Sequence, residues 1–340
     1  EEAREKVARL VAADAAGVTF TSGATEANVL ALHPALEIAG ARGHRDRLLV
    51  SAIEHVSVLQ GARFPADAID VIPVTASGVV DCEALRLLLG KTERALVSVM
   101  LANNETGVIQ PIREIAAIVH EAGGLLHVDA VQGPGRIAVN FKALGADLMS
   151  LSAHKIGGPK GAGALVRRAD LHLAAPVVAA GGQERGLRGG TENVPGIAGF
   201  GAAAEAVQQC SAAETPLLHA LRERLEAGIR ATAREAVIFG AGAERLPNTV
   251  FFSAPGMKAE TAVIAFDLDG VAVSSGAACS SGKVQPSHVL AAMGVERSLA
   301  QGAVRVSLGA TSTESDVDQF LAAWKKLSKS LGKERTGLAA

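Results

Sequence analysis

Apolar residues in the first half of the chain fall in short unbroken runs, separated by stretches with helical spacing. The runs at 18–21, 48–50, 69–72, 95–101, 125–128 and 147–151 are rich in Val, Ile, Leu and Phe and read as strands. Between them the spacing predicts helices from about 25, from about 56, from an Asp81 N-cap through 89, and from Pro111 to 121. A helix is also expected over 1–12. Strands alternating with helices imply βα units, a mostly parallel central sheet and helices on both faces. Strands that are apolar throughout fit a sheet buried on both sides.

The pattern then changes. A helical stretch at 194–233, interrupted near Pro216, leads to strands at 249–253, 271–274 and 304–308. Helices at 259–266, 286–293 and 313–331 separate them, which predicts a smaller α+β module. The fold class is therefore α/β with a second α+β domain. A chain of 340 residues is long for one core. We place a large domain at 8–210, a small one at 211–332 and a loose tail at 333–340.

Composition removes several function classes. The formal net charge is −2, so no long-range field draws the chain to nucleic acid or anionic lipid. Apolar runs stop well short of the roughly 20 residues that a membrane span needs. The sequence opens on Glu1, Glu2, Ala3, Arg4, Glu5 and Lys6, with no signal peptide visible. Cys82, Cys210 and Cys279 are odd in number and widely spaced, so neither a disulfide framework nor a metal site is expected. Free thiols fit a reducing, cytoplasmic location.

Four segments carry candidate chemistry. The strand 125–129 ends in Asp129, and the strand 147–151 runs into Ser152, Ala153, His154 and Lys155 before a glycine-rich stretch. In parallel α/β sheets ligands collect at the carboxyl ends of strands. An acid, a histidine and a lysine converging there would suit pyridoxal 5′-phosphate (PLP). The lysine amine forms a Schiff base, and the carboxylate keeps the pyridine nitrogen protonated so that the ring acts as an electron sink. A salt bridge or helix cap is the plainer reading. Thr21 to Glu26 join strand to helix through small residues, which is an anion seat or an ordinary N-cap. Cys279 lies among small polar residues at 274–282, suiting an accessible thiol, whereas Cys82 and Cys210 sit in apolar helical contexts as buried or half-buried residues. Arg305 and Ser307 share a face of their strand, where the arginine could clamp a carboxylate or, on an edge strand, stay solvated.

Together these segments resemble cysteine desulfurases, of the aminotransferase class V branch of fold-type I PLP-dependent transferases. The matching stretches run in order: TSGATEAN at 21–28, EHVSV at 54–58, NNETG at 103–107, HVDAVQ at 127–132, SLSAHKIGGPKGAG at 150–163, GGQERGLRGGTEN at 181–193, SSGAACSSG at 274–282 and RVSLG at 305–309. The Cys279 segment, followed by residues 286–290, is similar to the longer-loop subgroup that feeds iron–sulfur cluster assembly. The family has a further N-terminal segment with an Asn-Asn-Ala-Thr-Thr-Pro-like stretch, which this sequence lacks.

The resemblance implies roles. Lys155 would bind PLP covalently, Asp129 would pair with the pyridine nitrogen and Gln132 with the phenolic oxygen. His55 would stack on the ring and act as an acid or base. Ala24, Thr25, Ser152 and His154 would hold the phosphate, and Thr191 would reach the phosphate of a neighbouring subunit in a homodimer. Asn104 and Arg305, with help from Arg188, would grip the carboxylate of L-cysteine. Cys279 would take the substrate sulfur as a persulfide, release L-alanine and pass the sulfur to an acceptor such as an iron–sulfur scaffold. The alternatives are a selenocysteine lyase or other class V enzyme, and a catalytically impaired sulfur-relay subunit. A nucleotide-binding protein using 157–163 lacks the glycine register of either common phosphate loop.

Overall fold

The computed structural model describes residues 1–38, 43–173, 175–179, 181–276 and 287–337. The chain divides into two compact units. The first holds Glu1–Pro73, Val80–Ala102 and Gln110–Ala212; the second holds Val74–Val79, Asn103–Ile109 and the chain from Ala213 onward. Residues 74–79 and 103–109, expected within 8–210, thus belong with the second unit. Main-chain bonds draw the latter stretch there: Ile109 N donates to Glu244 O and Leu246 N to Gly107 O, each at 2.8 Å.

The first unit contains β1 (Val18–Thr21), β2 (Leu36–Ile38), β3 (Arg47–Ser51), β4 (Ile69–Ile72), β5 (Ala95–Met100), β6 (Leu125–Asp129), β7 (Leu148–Ser152), β8 (Gly163–Arg167) and β9 (Leu171–Leu173). Seven of these form a sheet in the order β1-β8-β7-β6-β5-β3-β4. From β7 to β4 the strands run parallel, as the alternation of strand and helix predicts. The strand β8 was not anticipated. It lies antiparallel between β1 and β7, so that Thr21 and Ser152 both face Gly163. β2 and β9 make a separate antiparallel pair.

Every residue of β5, β6 and β7 is buried, which explains their unbroken apolar character. The helix Ile112–Glu121 buries Ile112, Ile115, Ala116, Ile118 and Val119, one stripe at helical spacing. The helix Cys82–Leu89 is capped as expected: Asp81 Oδ1 accepts from the N–H groups of Glu83 and Ala84 at 3.0 Å.

In the second unit β10 (Val237–Ile238), β11 (Thr249–Ser253), β12 (Ser274–Ser275) and β13 (Val304–Ser307) form an antiparallel sheet in the order β10-β11-β13-β12. Phe252, Phe266, Phe320 and Trp324 fill its core, with Phe252 edge-on to Trp324 at 5.1 Å between ring centres.

Four expectations need correction. The helix Val194–Thr232 continues through Pro216, because proline removes a single main-chain bond and good helix formers flank it. Strand pairing begins at Ser274 rather than 271, after the chain leaves Ala259–Leu268 through the left-handed turn at Gly270. The last helix, Glu314–Gly337, takes in residues 333–337 of the expected tail, where Lys333, Glu334 and Arg335 favour helix; 338–340 lie outside the described residues. Cys210 is exposed, since the half-buried stripe of its helix runs through Ala204, Val207 and Ser211.

Candidate active site

The register of the seven-stranded sheet gathers most of the candidate residues at one edge. Parallel β3, β6 and β7 end there in Ser51, Asp129 and Ser152, and β1 ends beside them in Thr21. A close approach shapes this corner. A Cβ at Gly163 would stand 2.5 Å from the Gly23 carbonyl carbon, so only glycine lets β8 pass under the Thr21–Gly23 turn. That turn opens the helix Ala24–Ala31, with Thr25 exposed in its first turn.

Asp129 is the buried carboxylate of the edge. Its Oδ2 accepts from Asn28 Nδ2 at 3.0 Å and its Oδ1 from Val131 N at 3.1 Å. Burial pushes the Asp129 carboxyl above its ordinary value, while the Asn28 amide, the Val131 N–H and the charges of His55 and Lys155 work against that rise. The same balance shows that His55 and Lys155 stand close enough to act on Asp129. Lys155 follows β7 in the turn Ala153–Ile156, and its carbonyl accepts from the Arg136 guanidinium. Gln132, half-buried, likewise offers its carbonyl to Arg136.

His55 caps the short helix Val56–Leu59: its Nδ1 accepts from Ser57 N at 3.2 Å and lies 2.8 Å from Ser57 Oγ. Beside it, burial pushes the Glu54 carboxyl up to about 8. Glu54 Oε1 accepts from Ser51 Oγ at 2.5 Å and Met100 N at 2.7 Å. On the next strand end, Ser152 Oγ lies 2.8 Å from His154 Nδ1. Burial and the nearby charges of Lys155 and Lys160 hold His154 below its ordinary value. These cations and hydroxyls make the corner a place for an anion.

Thr191 is exposed and lines a cavity of about 290 Å³ with Thr21, Ser22, Gly161, Arg188 and Asn193. Arg188 donates to Glu26 Oε1 at 3.1 Å and to the Gly189 carbonyl. Burial opposes ionisation of Glu26, but hydrogen bonds from Ser22 and Arg188 hold it below the usual carboxylate range.

In the second unit, Arg305 lies on β13, an interior strand rather than the edge strand considered from sequence. Its Nη1 donates to the Asn104 carbonyl at 2.7 Å, and its Nε is buried without a protein partner among the described residues. A half-buried guanidinium with a donor to spare suits a carboxylate ligand. Neighbouring Glu105 accepts from Ser287 Oγ at 2.5 Å, and burial pushes its carboxyl up to about 7. Cys279 and Pro286 lie outside the described residues. Among the described residues no group of three or more His, Cys, Asp or Glu is placed to hold a metal ion, and no helix is long and apolar enough to cross a membrane.

Sequence reasoning missed Asn28, Ser57 and Glu54. An asparagine within an expected helix, where the residue type is unfavourable, was the available signal for Asn28. No spacing rule links it to Asp129, which lies 101 residues away.

The residues present fit PLP: a buried carboxylate for the ring nitrogen, a lysine near it, and an anion corner at the same sheet edge. Comparison with known proteins agrees. The aminotransferase class-V family profile matches residues 1–320. A cysteine desulfurase of Gluconacetobacter diazotrophicus is 41% identical over 313 residues, covering 89% of this chain and 76% of that protein. A cysteine desulfurase IscS of Anaeromyxobacter sp. is 42% identical over 325 residues, covering 94% and 79%. A solved NifS-like protein of Rickettsia africae matches with a TM-score of 0.86 at 35% identity, covering 96% of this chain and 87% of that one.

Proposed function

The chain belongs to the aminotransferase class-V family, and from that membership and the geometry of the sheet edge we propose that it is a PLP-dependent cysteine desulfurase. The observation that carries this reading is the buried Asp129 carboxylate, held by Asn28 within the electrostatic reach of Lys155 and His55. PLP bound there supplies an electron sink for charge developing at the substrate Cα.

The chain's own residues do the rest. Asp129 would hold the ring nitrogen protonated, and Gln132 would hold the phenolic oxygen. Ala24, Thr25, Ser152 and His154 bind the phosphate, with Thr191 contributed by the partner in a homodimer. Asn104 and Arg305 bind the carboxylate of L-cysteine. The Arg188–Glu26 ion pair favours a supporting role for Arg188 in the Thr191 loop. Lys155 removes the Cα proton, and His55 serves as an acid or base.

The Cys279 thiolate attacks the substrate sulfur. An S–S bond forms, the substrate C–S bond breaks, and its electron pair passes to carbon, which is then protonated to give L-alanine. Cysteine and the Cys279 thiol thus become alanine and a Cys279 persulfide, with no outside oxidant. We place the enzyme in the cytoplasm, where the persulfide serves an acceptor such as an iron–sulfur scaffold.

The test is to supply L-cysteine to the PLP-loaded protein and to measure alanine and protein-bound persulfide. Cys279→Ala should retain the visible absorbance of bound PLP and lose persulfide transfer. Undiminished transfer by that variant overturns the assignment of Cys279. Turnover of selenocysteine alone, independent of Cys279, would favour a lyase.

A further inference from the structure

Asn28 is buried within a helix yet donates from one amide nitrogen to two groups, Ser57 Oγ at 2.9 Å and Asp129 Oδ2 at 3.0 Å. A carboxylate only accepts, which fixes the orientation of the amide. Both amide hydrogens are then committed. The Ser57 oxygen that receives one turns its own hydrogen to the next acceptor, His55 Nδ1 at 2.8 Å. That nitrogen also accepts from the Ser57 main-chain N–H. A ring nitrogen that accepts from a main-chain N–H carries no hydrogen, so the imidazole hydrogen resides on Nε2.

We propose that Asn28 is a positioning residue: one amide holds the Asp129 carboxylate and, through Ser57, fixes His55 in its Nε2–H form. The carboxylate meant for the cofactor ring and the imidazole meant for its face are thereby set by a single side chain. That side chain sits on Ala24–Ala31, the helix whose first turn carries Ala24 and Thr25. The inference rests on the roles proposed above for Asp129 and His55. Among the described residues, the charged and titratable groups around the relay include Asp129, Lys155 and Glu54.

The experiment uses the full chain with ¹⁵N-labelled histidine, with and without PLP. The His55 signals are those lost in His55→Gln. In the PLP-free wild type, long-range ¹H–¹⁵N spectra should show an unprotonated Nδ1 and a protonated Nε2. Ser57→Ala removes the closer donor and leaves the Asn28–Asp129 bond. It should shift the Nδ1 signal and admit a minor Nδ1–H form, with PLP affinity unchanged and kcat lowered about 10-fold at similar KM.

Asn28→Leu, of similar volume without a donor, should shift the Nδ1 signal in the same direction and also weaken PLP binding by about 10-fold. The double variant should move the Nδ1 signal little beyond the larger of the single effects, because both changes cut one relay. Should Asn28→Leu not fold, Asn28→Ala, which removes the amide without adding a second carboxyl beside Asp129, takes its place. An unchanged Nδ1 signal and unchanged PLP affinity in the Asn28 variant overturn the proposal, even if the wild type makes alanine. A wild type that makes no alanine while these shifts occur overturns the desulfurase reading and leaves the relay standing.

Discussion

Two buried aspartates stand at opposite ends of neighbouring strands in the same sheet. Asp129 ends β6, whereas Asp147 immediately precedes β7. Asp147 is surrounded by donors: Leu126 N at 2.7 Å and His120 Nε2 at 2.9 Å on one oxygen, Arg168 Nη1 at 2.6 Å on the other. The Arg168 guanidinium, a main-chain N–H and a histidine that is cationic when protonated compensate its charge in place. Among the described residues Asp129 has neutral hydrogen-bond donors, Asn28 and Val131 N, and burial pushes its carboxyl up. One carboxylate closes a structural joint at the amino edge. The other is kept costly at the carboxyl edge, where ligands of α/β sheets bind. Burial alone does not distinguish a functional acid from a structural one; the charge of its partners does.

The sharpest way to break this contrast is to remove the group that Asp129 is expected to serve. Lys155→Ala should abolish alanine formation and the visible absorbance of bound PLP, both measurable on purified protein. Asp129→Asn preserves shape and should lower the rate of alanine formation by about 100-fold or more, because the charge proposed to face the cofactor ring is lost. Its melting temperature should hold or rise. A carboxyl whose folded pKa lies above its unfolded value binds a proton more tightly when folded, so its ionisation at neutral pH costs stability. A strongly destabilised Asp129→Asn with near-normal turnover would make Asp129 another structural joint.

The opposite outcome is expected at the amino edge. Asp147→Ala leaves the buried Leu126 N–H without its side-chain acceptor and should destabilise the fold by about 2 kcal/mol. Arg168 and His120 are each partly exposed, so water can rehydrate them and the loss stays moderate. Alanine formation per folded molecule should not change. Urea unfolding read beside turnover separates the two; a turnover loss at constant stability would show that the two edges are coupled.

The contrast was only half legible in the sequence. An apolar strand ending in an acid, and a second ending in Ser-Ala-His-Lys, were enough to place Asp129 and Lys155 at the carboxyl edge, because a parallel sheet aligns its strand ends. Local chemistry also spoke plainly at Asp81, whose cap depends on residues two and three positions away. The partners that decide what each aspartate does are distant in sequence. Asn28 meets Asp129 across 101 residues, and Arg168 meets Asp147 across 21 through β8, a strand that pattern reading overlooked. Antiparallel β8 carries Gly163 and Ala164 at its start and ends in Arg167, with Arg168 just beyond, so its pattern resembles a loop more than a strand.

The smallest expected effect concerns His120, and its sign is informative. The Asp147 carboxylate raises the His120 pKa above the ordinary 6.5, against the opposing effect of partial burial. A group whose folded pKa is raised contributes stability that is fully present below the unfolded value and is lost as pH rises through the folded one. Wild type should therefore exceed His120→Gln in urea midpoint by more at pH 5.5 than at pH 8.5. The difference should be small, because the ring is 39% exposed and Arg168 already neutralises the same carboxylate. A gap that widens toward alkaline pH instead would mean that neutral His120 is the favoured partner. Asp147 would then rely on Arg168 alone for its charge, and the amino edge would be less fully compensated than its geometry indicates.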